Sequence, residues 1–543
     1  MNDKENNDVI KEENDEISQE KAVVTKPSFE LLKGDIAFVI SAFVSSLFSA
    51  VFGLFSGYAL GYMISVIIMM SVFSVYLIKG GKAKFLPVLC GVLTLANSAV
   101  FICTSNGSVR FFGVIVSFLL SIVCFDGFVN QDQKGNRKTI GAFFSAVSTL
   151  GNIWHTLKTL LTKGSGDKKF IGKALLGLVC SIPVLIIVMP LLISSDVAFQ
   201  GLIVSIFRNT FVTTVKIIFG VLLSIFVICY GLSLKFKRFW KIKEAKFNGI
   251  ESVYVISFLS AISGCYLLYL FSQLAYFFSA FKGFLPDENI TYAQYARRGF
   301  FEMCIIAVIN LGLVFLCLFI AKKRNGKVSH WVKCLTTFIS SFTLVIIATA
   351  ISKMVLYIDA YGMTVLRITT SAFMLLLAIV FIAVILRIYI NKINVVKTAL
   401  IASGCIILVL GTVNVNHVCA KYNYEAYKSK KLDTIDVEAL YNLGDEGIPY
   451  VVKIACSKDA QAAQEAQKYL AEAYLYDYFD NMQDAQDFTV EDLQKNQKRK
   501  GFERFSIPKT NAYDALYKLI ENNPQFASRC QSFFEDVEED YFW

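Results

Sequence analysis

Long apolar blocks alternate with short polar segments along this chain, and the blocks are too long and too uniform for the core of a soluble protein. Residues 36–78 contain no charged side chain. As one helix at about 1.5 Å per residue they would run to roughly twice the ~30 Å hydrocarbon thickness of a bilayer, so they predict a pair of spans. The turn is placed near Ser56-Gly57, although Gly53, Gly57 and Gly61 also fit a small-xxx-small helix contact. Further spans are expected over 85–104, 111–129, 174–194, 217–234, 253–278, 300–321, 335–356, 363–388 and 398–415. Blocks such as 305–321 are apolar on every face, whereas a membrane barrel needs short alternating segments. The expected fold class is all-α, a polytopic bundle of about eleven transmembrane helices over 35–415.

The polar segments set the domain plan. Residues 1–34 are mainly acidic (Asp3, Glu5, Asp8, Glu12, Glu13) and predict a disordered cytoplasmic tail rather than the basic start of a secretory signal. Beyond Val415 the composition turns polar, with many tyrosines and mixed charge, and residues 416–543 are expected to form a soluble all-helical domain. Helical spacing is clearest at 459–480, after a cap at Ser457 or Asp459, and again at 511–521 after Thr510. In 139–163, Ile140, Phe143, Phe144, Val147, Leu150, Trp154, Leu157 and Leu161 recur at helical spacing beside Lys158 and Lys163. That pattern predicts an amphipathic helix on the cytoplasmic membrane face, or one packed on neighbouring loops.

Charge adds an orientation. Alternate loops hold the basic residues, among them Lys79, Lys82 and Lys84, then Arg137 and Lys138, Lys235 and Arg238, Lys322 and Arg324, and Lys392 and Lys397. By the positive-inside rule the N-terminus is cytoplasmic and, with an odd span count, the C-terminal domain is extracytoplasmic. A multi-pass cell-membrane protein follows, with the lipid bilayer as its first partner.

Composition removes several functions. The chain has 543 residues, 55% hydrophobic and only 18% charged, and its net charge of +10 sits at block ends rather than on one soluble face, so a nucleic-acid partner is not expected. Thirteen cysteines form no CxxC pair and there are three histidines, which predicts neither metal nor cofactor. Phosphate-loop, dinucleotide, nucleophile-elbow and zinc-protease motifs are missing, and the expectation is a protein that is not an enzyme, with no catalytic residue to name.

The candidate site is a set of charges at the predicted outer ends of three consecutive spans: Arg297, Arg298, Glu302, Lys353, Asp359 and Arg367. A charge inside a span costs at least ~2.5 kcal/mol on insertion scales, so such groups pair or face a cavity. Glu302 with Lys353 or Arg367 is the natural pair. Two roles stay open, an ion pair that fixes helix register and an anion-attracting vestibule. Tyr292, Tyr295, Asn310 and Tyr361 are supporting polar candidates, with Asn310 read as a tie to a neighbouring helix.

The segment Thr291-Tyr292-Ala293-Gln294-Tyr295-Ala296-Arg297-Arg298-Gly299-Phe300-Phe301-Glu302 resembles a signature of bacterial membrane proteins grouped as domain-of-unknown-function 4153/4173. Residues 356–367, Tyr422-Asn423 and Asp445-Glu446-Gly447-Ile448-Pro449 agree with the same family, and 502–516 more loosely. The resemblance implies a polytopic membrane protein and places the charged cluster within family motifs, without an established activity. The functional expectation is a non-enzymatic sensor or scaffold of the cell envelope, meeting an envelope protein or wall component through its C-terminal domain. The alternative is a transporter or lipid-handling protein with an anion site at the outer face.

Overall fold

The structure is a computed structural model, and it describes residues 33–54, 59–78, 84–129, 139–150, 153, 188, 210–236, 249–282, 300–322, 328–390, 392–432, 434–479, 505–523 and 526. Ten helices among these are long and apolar enough to cross a membrane. They are α1 (Lys33–Phe48, continued by a π-helical turn Ser49–Leu54), α2 (Ala59–Leu77), α3 (Phe85–Cys103), α4 (Gly107–Val129), α6 (Thr210–Phe236), α7 (Ser252–Lys282), α8 (Phe300–Ile320), α9 (His330–Tyr361), α10 (Val365–Tyr389) and α11 (Val395–Thr412). A shorter helix, α5 (Thr139–Leu150), lies between α4 and α6. The expected span at 174–194 apart from Val188, the turn at Ser56-Gly57 and the acidic tail up to residue 32 lie outside the described residues. No strand occurs among the described residues; one isolated bridge joins Ile250 to Ala321.

The spans are built inside out relative to a soluble protein. On α8 the outward positions are Ile305, Val308, Ile309, Leu316 and Phe319, while Ala307, Asn310, Val314 and Cys317 are buried at helical spacing. Lipid tails are as apolar as a core, so small and polar groups go to the helix contacts where backbones approach. Gly411 of α11 shows how close that approach is, because a Cβ there would stand 1.9 Å from a methyl of Val100 on α3. Helix α5 follows the same rule: Ile140, Phe144, Val147 and Leu150 point outward, and Ala142, Ser145, Ala146 and Thr149 are buried.

Helices α1 to α6 share one core, and α7 to α10 pack around two more. Helix α11 joins the halves, packing on α3 and α4 on one side and on α10 on the other. One face of the bundle collects Asp35, Tyr76 and Lys235, the Pro87–Gly127 contact, and the Asn394–Thr139 hydrogen bond at 2.8 Å. The opposite face collects the 104–106 loop, the 362–364 corner and residues 412–414.

The C-terminal domain sits on that second face. After Asn414, whose φ of +57° turns the chain sharply, come α12 (Val415–Lys428), α13 (Val437–Tyr441), a 3-10 turn at Gly444–Glu446, α14 (Ile448–Ala455), α15 (Ala460–Phe479) and α16 (Ile507–Asn522). Val437, Leu440, Val451, Ile454, Ala466 and Leu470 are fully buried in its own core. Asp459 caps α15, accepting the Ala462 N–H at 3.2 Å. Helix α16 begins four residues before the sequence predicted. Pro508 occupies its first turn, where a missing N–H costs nothing, so Ser506 is its cap and Thr510 lies inside it.

Candidate functional site

Two of the predicted charges, Asp359 and Arg367, belong to one corner together with the supporting candidate Tyr361. Helix α9 has 32 residues, about 48 Å at 1.5 Å per residue, so its end outruns the ~30 Å hydrocarbon layer. Asp359, beyond the expected span of 335–356, is still helical there, and it forms an ion pair with Lys431 of the C-terminal domain. That hydrogen bond raises the Lys431 pKa above its ordinary value, although both groups are exposed and solvent screens the pair.

Helix α9 ends at Tyr361, and the next residue, Gly362, has φ +79°, a conformation that suits glycine. Arg367 closes the corner from α10. Its guanidinium donates to the carbonyls of Tyr361, at 3.1 Å, and Gly362, and lies 4.1 Å from the ring centre of Tyr357. A cation on the last carbonyls of α9 suits the negative end of the helix dipole. The side chain of Tyr361 is exposed.

The grip on this corner comes from the C-terminal domain. Asn423 on α12 accepts the Met363 N–H through Oδ1 at 2.8 Å and donates from Nδ2 to the Met363 carbonyl at 2.8 Å. Both ends of one carboxamide are thus spent on one backbone residue.

Glu302 and Lys353 sit apart from that corner. Glu302 is exposed in the first turn of α8; Lys353 is buried on α9, which packs on α8, and the Glu302 charge acts on it. Asn310 belongs to a third group, accepting from the Tyr266 hydroxyl on α7 at 2.5 Å and donating to the Thr343 hydroxyl on α9 at 2.9 Å. Tyr292, Tyr295, Arg297 and Arg298 lie outside the described residues.

A second joint escaped the sequence reading. Glu446 is buried in the 3-10 turn, and its carboxylate accepts from the Ser105 N–H at 2.7 Å, the Thr104 hydroxyl at 3.2 Å and the Ser105 hydroxyl. Asn414 donates to the Cys103 carbonyl at 2.8 Å, and Asn106 donates to Asn416 at 2.6 Å. Glu446 stands in a motif of the family resemblance, which was its only signal. Nothing local names a partner loop more than three hundred residues upstream.

A buried ion pair at the opposite face was also missed. Asp35, fully buried, pairs with Lys235 and accepts from the Tyr76 hydroxyl at 2.8 Å. It falls at the boundary between the acidic tail and the first apolar block, where one acid among many attracts no notice.

Among the described residues no group of three His, Cys, Asp or Glu is placed to hold a metal ion. Chemically, both joints hold: side chains of one part satisfy backbone groups of the other, as buried polar groups require. A family model described as a domain of unknown function (DUF4153) matches residues 64–454. The match begins within α2 and ends within α14, so it takes in both joints. No curated protein and no solved structure matches the chain.

Proposed function

The chain belongs to the DUF4153 family, and on that premise we propose that it is a non-enzymatic sensor or scaffold of the cell envelope, displaying its helical domain outside the cytoplasm. The observation that carries the reading is the pair of joints, Asn423 on Met363 and Glu446 on the 104–106 loop. A domain hung on a flexible linker moves independently of its anchor. Here only residues 413–414 separate α11 from α12, and side chains lock the two parts at separate corners. A partner that engages the domain therefore pushes directly on the bundle.

Charge supports the sidedness. The described lysines Lys84, Lys235, Lys322, Lys392 and Lys397 belong to the end of the bundle that carries Asp35, opposite the domain. The anion-vestibule alternative has less support, because Arg367 is engaged with carbonyls.

The test is complementation in cells lacking this chain. Asn423→Ala with Glu446→Ala, or a flexible insertion after Val413, should leave the amount of inserted protein unchanged, expose the domain to added protease and abolish complementation. Full complementation by these loosened variants would overturn the reading.

A further inference from the structure

Between the ends of two spans and the C-terminal domain opens a cleft of about 1050 Å³, as large as the ~300–1,000 Å³ of ordinary small-molecule sites. Its floor is Cys103 at the end of α3 together with Thr412 and Val413 at the end of α11, so it begins where the lipid ends. Its far wall is α14 and α16. Two properties meet there. The rim is apolar and uncovered: Val413 is 55% exposed, Ile507 is 46% exposed, and Phe505 beside it is 49% exposed. The wall is polar and charged, with Lys453 on α14, Lys518 and the Asn511 carboxamide on α16, and Asn522, whose amide also donates to the Lys518 carbonyl at 2.7 Å.

Neither lysine has an ion pair among the described residues. Lys453 lies 4.5 Å from the ring centre of Tyr450, a contact that leaves its N–H groups available. Three acids line the cleft as well, Asp445, Glu446 and Asp514, and Glu446 is spent on Thr104 and Ser105.

We propose that the cleft takes the phosphate-bearing headgroup of a lipid from the leaflet on which the domain sits. A wholly soluble solute would have to cover the apolar floor and rim, and a wholly apolar one would strip water from two lysines without compensation. A phospholipid satisfies both halves. Its chains stay in the layer beside Val413, and its phosphodiester enters between lysine and amide donors that suit a phosphate. The site goes beyond the sensor or scaffold role and does not depend on it, since a scaffold with an empty cleft is still a scaffold.

Cys456 provides the probe, because it lines the cleft and is exposed, whereas Cys419 in the same domain is fully buried. The purified full chain is placed in detergent micelles, and the rate of maleimide attachment at Cys456 is followed by peptide mass spectrometry. Added phosphatidylglycerol should slow the reaction severalfold. Diacylglycerol with the same chains, lacking the phosphate, should leave the rate near its starting value, as should soluble glycerophosphoglycerol. Lys453→Gln with Lys518→Gln should remove the protection while the lipid-free rate stays as in the parent. Continued silence of Cys419 certifies that the variant is folded, and single Lys518→Gln serves if the double variant fails that check.

No slowing by phosphatidylglycerol overturns the proposal, as does equal slowing by diacylglycerol or protection that survives loss of the lysines. Equal protection by the soluble headgroup would mark a site for free phosphodiesters and overturn the lipid assignment. Because the measurement needs no cellular phenotype, its failure and that of the complementation test are separate results.

Discussion

Asn423 holds Met363 across the join between membrane bundle and soluble domain, one carboxamide both accepting from and donating to a single backbone residue at 2.8 Å. No other natural side chain of that length offers a donor and an acceptor so spaced. Asn423→Ala leaves a part-buried N–H and carbonyl without these partners, at a cost of about 1–3 kcal/mol. Asn423→Asp keeps the acceptor but turns a carboxylate oxygen toward the Met363 carbonyl, and should cost at least as much. Urea unfolding of the purified protein, followed by protease susceptibility of the C-terminal domain, measures both. A stability equal to the parent in the alanine variant would remove the joint from consideration.

Gly362 contributes to the same corner through its backbone. At φ +79° a Cβ is strained, and it would lie 2.7 Å from Asn423 Oδ1. Gly362→Ala should therefore destabilise the joint in the same assay. Part of that penalty is the collision with Asn423, so Gly362→Ala combined with Asn423→Ala should cost less than the sum of the two. Strict additivity would show that backbone strain alone is responsible.

At the far end of the bundle, Asp35 and Lys235 form a buried pair with the Tyr76 hydroxyl on the carboxylate and the lysine 4.8 Å from the Tyr76 ring centre. Removing one partner strands a buried charge. Asp35→Asn or Lys235→Met alone should cost about 3–5 kcal/mol, whereas the double replacement should recover much of that loss. Thermal unfolding of the four proteins in one detergent completes the cycle. If the double variant is as unstable as the two losses combined, the groups are not coupled.

The spans were legible because lipid imposes a crude and strong rule, namely an uninterrupted apolar run of sufficient length. Ten of the eleven expected positions carry a described helix. The domain was legible only in part. Ala460–Phe479 declared itself through Asp459 and its apolar spacing, but α12, α13 and α14 are short and take their stability from packing that no single segment records. The charged residues fared differently again. Composition and hydropathy singled out Asp359 and Arg367, yet their partners are Lys431 and two backbone carbonyls, and such pairings depend on chain topology rather than on local pattern. Glu446 and Asp35 were passed over for the same reason, each lying in ordinary acidic surroundings until the fold buries it.

Cys419 makes the domain's stability depend on alkaline pH. It is fully buried on α12, and burial pushes its thiol from an ordinary 9.0 up to about 12. A raised pKa means that the folded state holds the proton more tightly than the unfolded chain does. Its stabilising contribution is complete below pH 9 and is lost as the pH rises through the interval to about 12. Lys431, raised by its bond to Asp359, acts in the same direction, but it is exposed and its share is small. The domain should thus lose stability steadily above pH 9, and Cys419→Ala should flatten that slope even though its small cavity lowers stability at neutral pH. Urea midpoints measured at half-unit steps from pH 8 to pH 11, with Lys431→Met as the control for the exposed pair, separate the two. A slope that is unchanged in Cys419→Ala would mean that another buried group, with Tyr450 the next raised by burial, governs the alkaline limit.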